Sequence, residues 1–201
     1  MAWGKNGTPL TLGSELDDMD ITDLTANTFN QFMVHIISGA SSTCTPDMTF
    51  DNTGGNDYAR RNSTNGGADS TVTSAAFFEN GLGGVGTGTD SFTIDYVCNI
   101  DSEEKLGIYF NMAAPAGAGT APSRAEGTFK KDTSTDTGQF TRVDINNTDA
   151  GGFATSSNIS ALGSDLTPAA GTSATISEGA IFHETDTNIS YVLYNGSWTA
   201  L

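Results

Sequence analysis

The residues able to do chemistry are few, and their spacing suits none of the common reactions. The chain holds two histidines, His35 and His183. His35 lies within Phe32-Met-Val-His-Ile-Ile37, the most apolar strand pattern of the sequence, where an imidazole packs or hydrogen-bonds rather than moves protons. His183 precedes a turn near the last residues. Neither belongs to a nucleophile motif, and Gly-x-Ser-x-Gly is absent. Acids cluster at Asp17, Asp18, Asp20 and Asp23, and at Glu103 and Glu104. Glycoside hydrolysis needs two carboxylates facing across a sugar, whereas these sit in turns beside strands, where they cap and solvate. Three loops have oxygen spacings that could suit calcium: Asp17-Asp-Met-Asp20, Asp132-Thr-Ser-Thr-Asp136 and Asp144-Ile-Asn-Asn-Thr-Asp149. None follows the EF-hand order. A structural calcium is the one cofactor the residues leave open, and no His or Cys set has zinc spacing. Gly81-Leu-Gly-Gly-Val-Gly-Thr-Gly88 lacks the Gly-Lys-[Ser/Thr] that closes a phosphate loop. The expectation is a protein that is not an enzyme.

Bulk properties narrow the partners. The chain has 201 residues and a net charge of −16, with eight Lys and Arg and no basic run. A phosphate backbone would be repelled, which argues against nucleic acid. No stretch approaches the ~20 apolar residues of a membrane span. Met1-Ala-Trp-Gly-Lys-Asn-Gly7 is not followed by an apolar signal region, so assembly in a cytoplasm without a membrane anchor is expected. Two cysteines, Cys44 and Cys98, make no disulfide framework. Cys98 shares an alternating face with Phe92, Ile94, Tyr96 and Ile100 and reads as a buried thiol, with a bridge to Cys44 as the alternative.

Those few reactive residues ride on strands. Apolar and polar residues alternate over 32–37, 47–51, 57–62, 70–78, 91–100, 105–111, 123–131 and 139–146, with Gly, Asn, Asp and Ser between. Short, evenly spaced strands with turn signals predict an all-β, antiparallel, jelly-roll-like sandwich. Leu106, Ile108 and Phe110 are expected to point inward. Residues 47–51 and 57–62 read as a strand pair, and 17–24 and 157–162 could each form one helical turn. The sandwich spans 15–166. Residues 1–14, with an isolated Trp3, read as an extended N-terminal arm. Residues 167–201 read as a linker, around 169–175, followed by a small hairpin module. Asn195-Gly196 is its strongest turn signal. Two or three such strands do not stand alone in water, so Ile181, Phe182, Val192, Leu193, Tyr194 and Trp198 need a partner surface. Arg60, Arg61, Arg124 and Arg142 are expected to pair with carboxylates within or between subunits.

Several motifs carry a family likeness. Gly7-Thr-Pro-Leu-Thr-Leu-Gly-Ser14, Asp18-Met-Asp-Ile-Thr-Asp-Leu24 and Asn56-Asp-Tyr-Ala-Arg-Arg-Asn-Ser-Thr-Asn-Gly-Gly-Ala-Asp69 belong to the set. So do Ser102-Glu-Glu-Lys-Leu-Gly-Ile108, Gly117-Ala-Gly-Thr-Ala-Pro-Ser-Arg-Ala-Glu126, Thr141-Arg-Val-Asp-Ile-Asn-Asn-Thr-Asp-Ala-Gly-Gly-Phe153 and Ala161-Leu-Gly-Ser-Asp165. Together they resemble structural proteins of marine tailed viruses of bacteria and archaea. Phe182-His-Glu-Thr-Asp-Thr187 and Tyr194-Asn-Gly-Ser-Trp198 are similar to a short module at the ends of many phage structural proteins. The resemblance implies a virion part assembled in the host cytoplasm, and carries over no catalytic residue.

Resemblance and residues together suggest a decoration (cement) subunit or a short head fibre or turret on the capsid surface. It would be a homotrimer that docks on the major capsid protein or another virion protein. Trp3 would anchor one end, and Ile181, Phe182, Tyr194 and Trp198 the other. The alternative is a tail-fibre module that recognises host surface glycan through exposed residues such as Tyr58.

Overall fold

Strict alternation of apolar and polar residues, broken by Gly, Asn and Asp, turns every long element of this chain into a strand. The computed structural model describes residues 3–38, 43–79, 86, 88–115, 117–132, 138–165, 179–184 and 188–201. The chain divides into two units, Met1–Leu166 and Thr167–Leu201. The expected linker at 169–175, and most of the glycine-rich loop at 81–88 and the loop at 132–136, lie outside the described residues.

The first unit contains β1 (Gly4–Thr11), β2 (Asp18–Ile21), β3 (Phe29–Ile37), β4 (Pro46–Phe50), β5 (Tyr58–Thr64), β6 (Ser70–Ala75) and β7 (Phe78–Glu79). These are followed by β8 (Thr89–Cys98), β9 (Lys105–Pro115), β10 (Ser123–Lys131), β11 (Val143–Asn147) and β12 (Asn158–Ser164). They form an eight-stranded sheet, β1-β12-β3-β8-β9-β10-β5-β6, and a four-stranded sheet, β2-β11-β4-β7. All pairings are antiparallel. The fold is an all-β sandwich. The order β2-β11-β4-β7 in one sheet, against β3, β10, β5 and β6 in the other, is the interleaving of two Greek keys in a jelly roll. Two additions widen the large sheet. The β8–β9 hairpin enters between β3 and β10, and β12 with β1 extends the far side of β3.

Phenylalanines fill the space between the sheets. Phe50 stacks on Phe140 with ring centroids 4.2 Å apart, and Phe78 stacks on Phe129 at 3.9 Å. Phe32, Val34 and Ile36 from β3, Met19 and Ile21 from β2, and Val143 and Ile145 from β11 complete the core. The Tyr58 hydroxyl accepts a hydrogen bond from the Phe50 backbone N–H at 2.9 Å and ties the sheets together.

Three sequence expectations give way to tertiary pairing. Residues 47–51 and 57–62 are not partners. β4 joins the small sheet and β5 the large one, because Asp51 and Asn52 take positive φ (53° and 54°) and turn the chain out of the small sheet. The possible helical turns at 17–24 and 157–162 are strands β2 and β12, since Met19 with Ile21, and Ile159 with Ala161, alternate into the core. Residues 4–11 form an edge strand on β12 instead of an arm. Polar anchors hold it there. The buried Asn6 side chain donates to Asn30 Oδ1 (2.8 Å) and accepts from the Thr25 N–H (2.7 Å), while Thr8 donates its N–H and hydroxyl to Asp23 (2.8 and 2.6 Å).

The second unit, described by itself, is a three-stranded antiparallel sheet of β13 (Ile181–Glu184), β14 (Ile189–Tyr194) and β15 (Ser197–Ala200). Asn195 and Gly196 both take positive φ (50° and 73°), the tight hairpin turn their sequence demands. None of its described residues is buried.

Candidate docking surface

The β8–β9 hairpin is patterned inside out. Strand periodicity places Phe92, Ile94, Tyr96 and Cys98 on one face of β8 and Leu106, Ile108, Phe110 and Met112 on one face of β9. Register aligns them pair by pair: Phe92 with Met112, Ile94 with Phe110, Tyr96 with Ile108, Cys98 with Leu106. Both sets were expected to point inward. They point out, away from the small sheet, and Phe92, Tyr96, Leu106, Ile108, Phe110 and Met112 are 38–54% exposed. Ile100, just past β8, is exposed as well. Phe29 and Met33 of β3 continue the apolar rows beside Cys98 and Ile94.

The inward rows of the same strands mix polar residues with Val97, Gly107, Tyr109 and Ala113. Ser91, Thr93 and Asp95 from β8, and Lys105 and Asn111 from β9, are all buried. Hydrogen bonds hold Ser91, Thr93, Lys105 and Asn111 there. Asn111 Nδ2 donates to Ser91 Oγ (2.9 Å) and Thr93 Oγ1 (2.6 Å), and Lys105 Nζ donates to the carbonyls of Ile100 (2.6 Å) and Glu103 (3.0 Å). Bonded in this way, buried polar groups lose most of their penalty. Tyr109 of β9 itself and Phe129 of the neighbouring β10 take the remaining inner space. Phe129 covers Gly107 so closely that a Cβ there would come 2.1 Å from its ring, and Tyr109 covers Gly127, where a Cβ would come 2.7 Å away. The core at this point is already full without Leu106, Ile108 or Phe110.

On the outward face a groove of about 670 Å³ runs over these strands. Phe29, Tyr96, Leu106 and Ile108 line its floor, and Trp3, 43% exposed, lies at one side. Arg60, Arg61 and Lys130 line the opposite side, from β5 and β10. Lys130 is paired with Glu104 at 2.6 Å and Arg61 with Asp69 at 3.4 Å, both at the surface. Arg124 lies 4.0 Å from Glu126. Such exposed pairs contribute little to stability. Arg142 is tightly held. It bonds Asp20 at 2.9 Å and Asp144 more closely still, on the outer face of the small sheet. Burial, and then the neighbouring Asp144 carboxylate, push Asp20 up to about 6.

The other candidate residues separate. In the second unit Ile181 and Tyr194 lie on one face of the sheet, 69% and 73% exposed. Phe182 and Trp198 lie on the other, in edge-on contact at 6.1 Å, with Tyr191 against Phe182. Tyr58, expected at a glycan-contacting surface, is buried. His35 stands in the outward row of β3 rather than in the core, within 3.5 Å of Asn158. His183 is exposed and bonded to Ser190 Oγ at 3.0 Å. Both cysteines are free thiols. Cys44 is buried, its thiol pushed up to about 11 by desolvation, and Cys98 is half-buried at the groove rather than in the core. Among the described residues no group of three or more His, Cys, Asp or Glu could hold a metal ion. Sequence reasoning identified the apolar rows of β8 and β9 but assigned them the wrong side. The signal that could have corrected it is the presence of glycines and aromatics alternating in the opposite rows.

No family model matches the chain, and no curated protein or solved structure is significantly similar to it.

Proposed function

We propose that this chain is a virion structural protein of the capsid surface, a decoration subunit or a short head-fibre or turret subunit. It acts by docking and oligomerisation rather than by catalysis. The observation that carries this reading is the outward apolar face of β8 and β9, on strands whose inward rows include the buried polar residues Ser91, Thr93, Asp95, Lys105 and Asn111. A sequence that keeps a fixed set of large apolar groups in water while filling its core with other residues is built to be covered. The second unit supports the same reading, because a three-stranded sheet none of whose described residues is buried leaves its apolar side chains open to another surface. The motifs resembling tailed-virus structural proteins supply the setting, with the major capsid protein or another virion protein as the surface for docking. Quantitative mass spectrometry of purified particles tests it. Hundreds of copies per particle are expected. Absence of the chain from particles would end the reading.

The groove favours a second reading, a fibre module for host glycan. Trp3 and Tyr96 could stack on sugar rings, with Arg61 and Lys130 beside them. A handful of copies per particle would move the protein to a tail tip and favour this role.

A further inference from the structure

We infer that the outward face of β8 and β9 is the self-association face of this protein, and that what covers it is a second copy of the chain. The inference rests on the docking reading above and names the partner at that surface.

Area comes first. At about 200 Å² for a fully open large apolar side chain, the exposed fractions of Phe92, Tyr96, Leu106, Ile108, Phe110 and Met112 amount to roughly 500 Å². That lies at the upper end of the ~300–600 Å² of the largest apolar patch on an ordinary monomer. A specific interface buries about 800 Å² per partner with an apolar centre and a polar rim. The six side chains supply the centre. Arg61, Arg124 and Lys130 stand in the adjoining outward rows and supply a rim, since Arg61 aligns through Thr128 with Ile108, Arg124 with Met112, and Lys130 with Leu106.

Charge then selects the partner. Each copy carries −16, so two copies repel wherever their acids meet. The outward rows of β3, β8, β9 and β10 hold two acids, Asp90 and Glu126, against Arg124 and Lys130, with Arg61 of β5 adjoining. With Lys130 paired to Glu104, Arg61 to Asp69 and Arg124 beside Glu126, this face of an acidic molecule is close to neutral, so two like-charged copies repel little there. A symmetric pairing that sets this face of one copy on the same face of another buries both apolar centres and keeps the acidic remainder of each chain apart. A sugar fits the same face less well. The floor offers mainly aliphatic and aromatic carbon, with Gln31 of β3, aligned with Tyr96, as an amide able to grip ring hydroxyls.

The experiment is sedimentation analysis of the full chain and of two single variants, Phe110→Glu and Ile108→Asp. Both positions are open to solvent, so the fold should survive, as far-UV circular dichroism would show. The wild-type mass is expected at a multiple of 20.8 kDa, with both variants at the monomer mass at the same concentration. Added salt should strengthen wild-type association by screening the charge, and Cys98 should react with a thiol reagent at least tenfold faster in the variants than in the wild type. A monomeric wild-type chain would overturn the inference, as would folded variants that keep the wild-type mass. So would a monomer whose Trp fluorescence titrates with an acidic oligosaccharide, which would give the face to glycan. Occupancy on particles is read separately. An oligomer absent from particles ends the virion reading and leaves self-association standing, while a monomer that saturates particles does the reverse.

Discussion

Deleting the same phenyl ring from two strands of one domain should have two very different costs. Phe50 is fully buried in β4, stacked on Phe140 at 4.2 Å and flanked by Phe32, Phe78 and Phe129 at 6.0–6.2 Å. Removing a ring from such a site loses its transfer energy and leaves a cavity that neighbours held by both sheets cannot fill, so Phe50→Ala should cost about 3–5 kcal/mol. Phe110 is 54% exposed in β9 and borders no enclosed space. Phe110→Ala opens no cavity and loses only the covered part of the ring, roughly 50–100 Å² at about 25 cal/mol per Å², or about 1–2 kcal/mol. The assay is urea unfolding followed by circular dichroism at low protein concentration, where the chain is dilute enough to be monomeric. Repeating it at high concentration adds a second arm. Wild-type stability should rise with concentration by mass action, and Phe110→Ala should lose that rise while Phe50→Ala keeps it. Equal losses for the two variants at low concentration would refute the reasoning, because Phe110 would then be a core residue and the β8–β9 hairpin would face the other way.

Other consequences are smaller in scope. Asp20 is raised in the folded state to about 6 from 3.8, so the folded chain binds that proton more tightly and the group's contribution to stability falls as pH rises from about 4 to 6. The unscreened shift is worth about 3 kcal/mol. Asp20 is partly open to water, and screening should reduce this to about 1 kcal/mol. Asp20→Asn should therefore flatten the pH dependence of the urea midpoint between pH 4 and 6, and an unchanged slope would contradict the assignment. Gly107→Ala should destabilise by about 1–3 kcal/mol, because its Cβ would press on the Phe129 ring between packed sheets; a neutral melting temperature would show that Phe129 can move away. Tyr58→Phe should cost about 1–2 kcal/mol, since it strands the buried Phe50 N–H, and thermal unfolding reads it directly. Under non-reducing denaturing conditions thiol titration should find two free groups per chain, with Cys44 reacting only after unfolding; a single-step loss in the native state would contradict its burial.

The local sequence was enough to establish that this chain is all strand. Alternation of side-chain character has a period of two only in extended backbone, and Asn195-Gly196 or Asn65-Gly66 can turn it tightly because both residues tolerate positive φ. The same local signals separated the aromatic-rich last residues from the sandwich. What periodicity cannot express is which of two alternating faces meets the core, because inverting a strand leaves its pattern unchanged. For β3 the apolar row Phe32, Val34 and Ile36 went inside. For β8 and β9 the inner side was taken by Tyr109 of β9 itself, by Phe129 reaching across from β10 to Gly107, and by a bonded set of Ser91, Thr93 and Asn111. Those contacts join residues 18 to 22 positions apart, so no short window of local sequence contains them. The placement of β4 in the small sheet and the docking of β1 on β12 were likewise decided by long-range pairing: Phe50 of β4 with Val143 of β11, and Asn6 with Asn30. The candidate surface therefore became visible only in three dimensions. The apolar residues were in the sequence, but their exposure is a property of how the two sheets filled the space between them.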